Sequence, residues 1–298
     1  MSNITKTAVV SVVGRPNVGK STMTNKLVGQ KVAIVSNKPQ TTRTRITGVL
    51  NRGETQYVFL DTPGLHKPRS RLGDYMCNVV TDTVSEVDVA ALVVEPIANI
   101  GPAEQSLIGQ IKQHHMPSIL VINKIDTVKK EELLAVIATY AAAHDFDAVV
   151  PVSARTGEGL NDFLAEVDKY AIEGPQLFPE DMVSDQPERQ LVAEIIREKM
   201  LRLLDREVPH GVAVGIERWN EREDGLIEIN AVIYCEKNSH KGIIIGKQGA
   251  MLKEIGRQAR ADIERMLDAK VFLELWVKVK EGWRNNQYQM RNFGYEDQ

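Results

Sequence analysis

Eight consecutive residues, Gly14-Arg15-Pro16-Asn17-Val18-Gly19-Lys20-Ser21, place two glycines, a lysine and a hydroxyl at the spacing Gly-x-x-x-x-Gly-Lys-Ser. Glycines let a backbone curl until successive N–H groups face an anion. The lysine can neutralise the outer phosphates of a polyphosphate, and the serine hydroxyl can reach a divalent cation beside them. The pattern follows an apolar, β-branched run at 8–14 and opens a helical stretch, which is the context phosphate binding requires. Gly14, Asn17, Val18, Gly19, Lys20, Ser21 and Thr22 are therefore the candidate phosphate-binding residues. A purely structural glycine turn is the alternative.

Three further segments carry chemistry. Asp61-Thr62-Pro63-Gly64 ends a strand-like run at 57–60, where Asp61 can hold Mg²⁺ and the Gly64 N–H can sense a terminal phosphate. Asn123-Lys124-Ile125-Asp126 follows another strand. A carboxylate at Asp126 accepts two hydrogen bonds from the N1–H and 2-amino group of guanine, donors that adenine lacks, so the wrong base leaves the acid unpaired. Lys124 can lay its stem along the base plane and Asn123 can brace the loop. Ser153-Ala154 follows the next strand, and the Ala154 N–H can donate to guanine O6.

Positioning these segments requires a scaffold, and the first 170 residues supply one. Strand-like runs at 8–14, 57–60, 87–94, 118–122 and 148–152 alternate with helical stretches such as 104–113 and 130–143. That alternation predicts βαβ units and an α/β fold: a doubly wound, mostly parallel sheet covered on both faces. All the motifs then lie at the carboxyl edge of one sheet, where open α/β folds bind ligands. Their order and spacing resemble the translation-factor-related GTPases. On that resemblance Gln40-Thr41-Thr42-Arg43 fits the first switch, with Thr42 the Mg²⁺ ligand, Thr41 the second choice, and Lys20, Thr42 and Gly64 the residues nearest the chemistry. The residue after Gly64 is Leu65, where many GTPases carry a water-orienting glutamine; a slow intrinsic rate is expected. His66 beside it is either a participant or a surface-loop histidine, and the remaining histidines, the His114-His115 pair included, read as solvated positions.

Composition bounds the rest. The chain has 298 residues, 43% hydrophobic and 26% charged, with a net charge of −3, as in an ordinary globular protein of two domains. Cys77 and Cys235 have no metal-ligand spacing and suggest a reducing cytoplasm. The polar start at 1–7 does not read as a signal peptide, and no apolar run reaches membrane-spanning length. Residues 173–188 hold three prolines and five acidic residues with no basic one. The expected organisation is a nucleotide-binding domain at 1–172, a linker at 173–189 and a second domain at 190–298.

The second domain has another grammar: a helix at 191–206, strands at 212–219 and 226–235, a helix–turn–helix around Gly246-Lys247-Gln248-Gly249 with its second helix at 251–266, and a last strand at 271–280. From 237 to 260 there are six basic residues and one acidic, a local +5 in an acidic protein. A short glycine turn before a helix N-terminus lets a nucleic-acid backbone come close. Lys241, Gly246, Lys247, Gln248, Gly249, Lys253, Arg257 and Arg260 are the candidate RNA-binding residues, and a solvated basic helix face is the alternative.

This order of elements looks like a KH domain of the second topological type (type II, α+β). Joined to one upstream GTPase domain, it resembles the Era GTPase family. The match is carried by 14–21, 40–43, 61–65, Glu173-Gly174-Pro175, Asp185-Gln186-Pro187-Glu188-Arg189, 194–199, 245–260 and 271–284; Gln190 departs from it, standing where an aromatic residue is expected. The resemblance implies a GTP/GDP-binding, Mg²⁺-dependent GTPase that helps assemble the small ribosomal subunit, its KH domain gripping ribosomal RNA near the 3′ end. It implies a monomer in the cytoplasm with loose peripheral contact at the inner face of the membrane. Trp283, Tyr288, Phe293 and Tyr295 can serve that contact, pack on the KH domain, or stack on RNA. In GTPases of this appearance an asparagine at position 17 can help hold K⁺ beside the phosphates; a loop-bracing asparagine is the alternative. A competing class is a GTPase of nucleotide modification or membrane signalling whose C-terminal unit binds protein or lipid.

Overall fold

The computed structural model describes residues 4–295. Part of the polar start, 1–3, and the last residues of the second domain, 296–298, lie outside the described residues. The chain forms two compact units, one comprising residues 1–33, 42–68 and 76–185, the other residues 34–41, 69–75 and 186–298.

The first unit is built on a seven-stranded sheet in the order β2-β3-β1-β4-β5-β6, with β7 pairing β1. In chain order its elements are β1 (Lys6–Val13), α1 (Lys20–Val28), β2 (Ile46–Arg52), β3 (Thr55–Asp61), α2 (Arg71–Ser85), β4 (Val89–Val94), α3 (Pro102–Gln113), β5 (Ser118–Ile122), α4 (Lys130–Ala141), β6 (Ala148–Pro151), α5 (Leu160–Val167) and β7 (Ile172–Glu173). Strands β3, β1, β4, β5 and β6 run parallel, while β2 returns antiparallel to β3. Strand β4 is apolar at every position because both its faces are covered. Val89, Ala91 and Val93 join the core under α1 and α5, and Ala90, Leu92 and Val94 join the core under α2, α3 and α4.

Two features were not foreseen. Strand β2, which contains Gly48 and polar residues, carries too little periodicity to be read alone; its pairing with β3 from Ile46↔Asp61 to Arg52↔Thr55 makes it a strand. Nor do residues 174–185 hang free as their linker composition suggests. Gln56 Oε1 accepts the amides of Leu177 and Phe178 at 2.8 and 2.9 Å, Val49 N donates to Val183 O at 2.9 Å, and Thr47 Oγ1 donates to Asp185 at 2.9 Å. The segment covers an edge strand that would otherwise expose its backbone groups.

In the second unit α6 (Glu188–Leu203), β8 (Ala213–Glu221), β9 (Ile227–Cys235), α7 (Asn238–Ile245), α8 (Ala250–Leu267), β10 (Val271–Val279) and α9 (Gln287–Asn292) follow in order. The sheet order is β10-β9-β8, with β8 antiparallel and β10 parallel to β9. Apolar residues of α6, α7 and α8, among them Ile196, Ile244 and Ile263, cover one face. Helix α6 also buries Arg197, Glu198 and Lys199. Buried charges must be paired, and these are: Arg197 with Glu194 and the carbonyls of Gln40 and Thr41, Glu198 with the Val35 amide at 2.9 Å, and Lys199 with Glu198 and Asp262.

The C-terminal aromatics divide. Trp283 is fully buried and donates from Nε1 to Gly211 O at 3.0 Å, with Phe293 edge-on at 5.4 Å and Tyr295 stacked at 6.0 Å. Tyr288 is 73% exposed. His240, expected in solvent, is buried on the same face of α7 as Ile244, because it faces the core. No helix among the described residues is long and apolar enough to cross a membrane. Trp283→Ala should destabilise the protein by about 3–5 kcal/mol, as removal of a buried large aromatic does. Trp283→Phe, which keeps most of the packing and loses the hydrogen bond, should cost about 1 kcal/mol. Urea denaturation followed by circular dichroism measures both; a Trp283→Ala transition at the wild-type position would show that the C-terminal segment does not support this unit.

Candidate functional site

Strands β1, β3, β5 and β6 end at one edge of the first sheet, and each is followed by one of the motifs. The phosphate loop turns into α1 through Gly19 at φ 101°, and a Cβ there would lie 2.2 Å from Asn123 Nδ2. The bare glycine admits that amide, which donates to Val18 O at 2.7 Å. Lys20 is buried, and its Nζ donates to the carbonyls of Gly14 and Arg15 at 3.0 Å each. Burial pushes its pKa down to about 8 against the pull of Asp61, so the ammonium is already desolvated before any anion reaches it. Thr22 follows in the first turn of α1, partly exposed.

The three expected metal ligands converge. Ser21 Oγ donates to Asp61 Oδ2 at 2.6 Å and lies 2.9 Å from Thr42 Oγ1. Because Ser21 has one proton and spends it on Asp61, Thr42 donates to Ser21. Asp61 is fully buried, and its Oδ1 has no hydrogen-bond partner. Burial pushes its carboxyl up to about 6, offset in part by Lys20 and Ser21. A dry carboxylate oxygen beside two hydroxyls is a hard-oxygen donor set that suits Mg²⁺. Thr41, the second choice, turns elsewhere: its hydroxyl donates to Lys38 O at 2.6 Å. The Asp-x-x-Gly turn is tied to the phosphate loop by Leu65 N donating to Gly14 O at 3.2 Å, while the Leu65 side chain packs among Val13, Val80 and their neighbours. His66 Nδ1 lies 3.1 Å from Gly64 O, a contact that commits that nitrogen to donating its proton.

At the base end, Asp126 Oδ1 accepts from Ser153 Oγ at 2.7 Å and Oδ2 pairs with Arg155 at 2.6 Å. The Ser153 bond first, and the Arg155 charge after it, hold the carboxyl below its usual range, which keeps Asp126 an acceptor. Lys124 sits at φ 64° and its Nζ donates to Asn17 O at 2.7 Å. The Ala154 amide donates to Asn123 Oδ1 at 2.9 Å, satisfying an amide that is 2% exposed. Motif reading also passed over Glu95, which follows β4 at the same edge and pairs with both Arg15 and Lys124. Its signal was an acid directly after an all-apolar strand.

In the second unit the turn between α7 and α8 holds Gly246 at φ 72°, Gln248 at φ 52° and Gly249 at φ 78°. A Cβ on Gly246 would strike Met251 Cβ at 2.7 Å, whereas one on Gly249 meets nothing within 4 Å. Lys247, Gln248, Lys253, Arg257 and Arg260 are exposed, the last three on one face of α8; Lys241 is half-buried on α7. Arg257 is gripped on its own helix by Glu254, with bonds of 2.8 and 2.6 Å.

Two family models match the chain: "50S ribosome-binding GTPase" over residues 9–124 and "KH domain" over residues 207–284. GTPase Era of Ruminiclostridium cellulolyticum is 54% identical over 98% of both chains. GTPase Era of Clostridioides difficile is 50% identical over 98% of this chain and 99% of its own. Among solved structures, an Aquifex aeolicus Era variant bound to GDP and AlF4⁻ is 40% identical with a TM-score of 0.94, over 98% of this chain and 100% of its own. An Era complex with MgGDPNP and nucleotides 1506–1542 of 16S ribosomal RNA has the same identity and coverage and a TM-score of 0.95. Likeness over nearly the whole of both chains, with the phosphate, metal and base motifs at one sheet edge of the first unit and a KH domain following in the sequence, makes this chain a member of the Era GTPase family.

Proposed function

We propose that this GTPase is a switch that binds small-subunit ribosomal RNA near its 3′ end through the 190–298 domain and acts in assembly of the small ribosomal subunit. The observation that carries the reading is likeness at a TM-score of 0.95, across 98% of the chain, to an Era that holds both MgGDPNP and 16S ribosomal RNA. The exposed bases on α8 and beside the glycine turn support it, since a lysine and arginine row is what phosphates require. Recovery of ribosomal RNA with the purified protein tests it against a lipid- or protein-binding second unit. The 1–172 domain turns over the nucleotide, with 173–189 between the two. The working location is the cytoplasm, as a monomer in loose contact with the inner face of the membrane.

In the hydrolytic site, the backbone N–H groups of Asn17, Val18 and Gly19 and the ammonium of Lys20 hold the phosphates. Ser21, Thr42 and Asp61 would hold Mg²⁺, which when bound neutralises charge on the outer phosphates. Gly64 senses the terminal phosphate. Leu65 is turned into the apolar core and offers nothing to water, so the intrinsic rate is slow. Asn123, Lys124, Asp126 and Ser153 form the base pocket, in which Asp126 selects guanine. Asp126→Asn should turn preference toward xanthine nucleotides, because the amide donates where the carboxylate only accepts. Competition binding with GDP, XDP and ADP reads this; a variant that still prefers GDP overturns the assignment.

The potassium role of Asn17 rests on family likeness alone, and a salt exchange decides it. If Asn17 helps hold K⁺, hydrolysis should run about tenfold faster in potassium than in sodium at equal ionic strength, an added positive charge acting on the phosphates. Asn17→Ala should erase the difference. Equal wild-type rates in the two salts leave Asn17 as a loop brace.

Gly249 is the better probe of the RNA site, since Gly246→Ala would strain the fold through Met251. Gly249→Asp has room and suffers only the cost of a left-handed backbone, about 1–2 kcal/mol. It should weaken RNA binding strongly and leave GTP hydrolysis by the free protein near normal. Replacing Lys247 and Lys253 together should flatten the dependence of log K on log salt by about 1.4, at roughly 0.7 per lost phosphate contact on a single strand. A folded Gly249→Asp protein with wild-type RNA affinity would move the site elsewhere.

A further inference from the structure

Glu95 stands outside every nucleotide motif, yet the motifs meet on it. It follows β4 at the carboxyl edge, between β1 with the phosphate loop and β5 with the base loop. One carboxylate oxygen, Oε2, takes the Arg15 guanidinium from the phosphate loop; the other, Oε1, takes the Lys124 ammonium from the base loop. Lys124 continues to Asn17 O at 2.7 Å, closing a chain of contacts from Arg15 through Glu95 and Lys124 back to the same loop. Arg15 is anchored a second time, its Nε lying 3.4 Å from Oε1 of the buried Glu104 on α3.

We infer that Glu95 is a positioning residue for guanine-nucleotide binding: it fixes the Lys124 stem as one wall of the base pocket and turns Arg15 away from the phosphates. The inference rests on the nucleotide-site reading above and adds to it a residue that lies outside the nucleotide motifs and acts through Lys124 and Arg15. Two consequences follow from the geometry. A lysine ammonium left without Glu95 keeps only one carbonyl partner, and its four-carbon stem regains rotamers that must be lost again when the base binds. Arg15, spent on two carboxylates, is not available as a cationic group for the terminal phosphate. The hydrogen bonds of the bridge are charge-assisted because both partners are ionised, and with the Glu95 side chain 25% exposed and those of Arg15 and Lys124 35% and 36% exposed, solvent screens them in part. Lys124 and Arg15 together outweigh burial and hold the Glu95 carboxyl below its usual range, so the bridge persists at neutral pH.

The test is nucleotide affinity and turnover of full-length protein, with mant-GDP and GTP as probes. Wild type is measured first; failure to bind GDP overturns the site reading itself, not the role of Glu95. Glu95→Gln should bind GDP and GTP about tenfold more weakly, through faster dissociation, with kcat at saturation within about twofold of wild type. In a Lys124→Met background, which keeps an aliphatic stem and removes the ammonium, Glu95→Gln should cost little more. Equal losses in both backgrounds would make Glu95 a structural residue that does not act through Lys124. A fall in kcat at unchanged affinity would place it in the chemistry, against the proposal. Glu95→Asp keeps the charge but reaches one cation at a time, and should lie between wild type and Glu95→Gln; wild-type affinity in this variant overturns the two-cation bridge.

Discussion

The side-chain amide of Asn123 is the contact on which the nucleotide site depends. Its Nδ2 donates to Val18 O in the phosphate loop and its Oδ1 accepts from the Ala154 amide, while its own backbone N–H donates to Val94 O at the end of β4. One buried residue thus ties four strand ends together, and each bond is made away from water, where a lost partner costs the full desolvation of the other. Gly19 exists in service of this contact: any Cβ would occupy the place of the amide. Motif spacing follows from the same constraint. The phosphate and base loops are far apart in sequence, yet their separation in space is set by one amide and by the sheet order β1-β4-β5.

The parts of the site that could be read beforehand are those whose chemistry is local. Lys20, Ser21, Asp61 and Asp126 sit where strand-end motifs put them, and Thr42 rather than Thr41 meets Ser21 as first choice. What could not be read depends on who reaches a donor first. The Ala154 amide looks free in one dimension; in three, Asn123 takes it. Glu95 and Arg155 carry no motif, and their importance appears only when β4 and the 153–155 turn come to the same edge as Asp126 and Lys124.

Fold legibility followed the same division. Strands β1, β4 and β5 announce themselves because burial on both faces demands mostly apolar runs, and α8 because its apolar positions recur at helical spacing. Strand β2 and the 174–185 strap are defined by backbone bonds to a neighbour, which composition does not record. The polar core of α6 is the strongest case. Arg197-Glu198-Lys199 carries no apolar signal, and it is interior because the unit folds residues 34–41 against that helix, supplying carbonyls and an amide for the charges. Exchange of those charges for hydrophobic residues would take from the Val35 amide its Glu198 acceptor, so the buried cluster answers a backbone group as well as its own charges.

Lys20 and Asp61 present the opposite situation, since the fold does not fully compensate them. Burial moves each toward its neutral form, Lys20 down to about 8 and Asp61 up to about 6, and their mutual attraction only partly reverses the shift. Asp61 Oδ1 is left without a hydrogen-bond partner, whereas the more exposed carboxylates of Asp126 and Glu95 at the same edge are bonded. On the proposed assignment one event would correct both: a polyphosphate would supply the anion Lys20 needs, and the accompanying cation would supply the charge Asp61 needs. Binding therefore relieves a cost the folded protein carries by itself, and by mass action ligand at a thousandfold its Kd stabilises the fold by about 4 kcal/mol. Imperfect compensation at these two positions, set against near-complete compensation at Arg197 and Glu198, marks which buried charges serve the fold and which wait for a ligand.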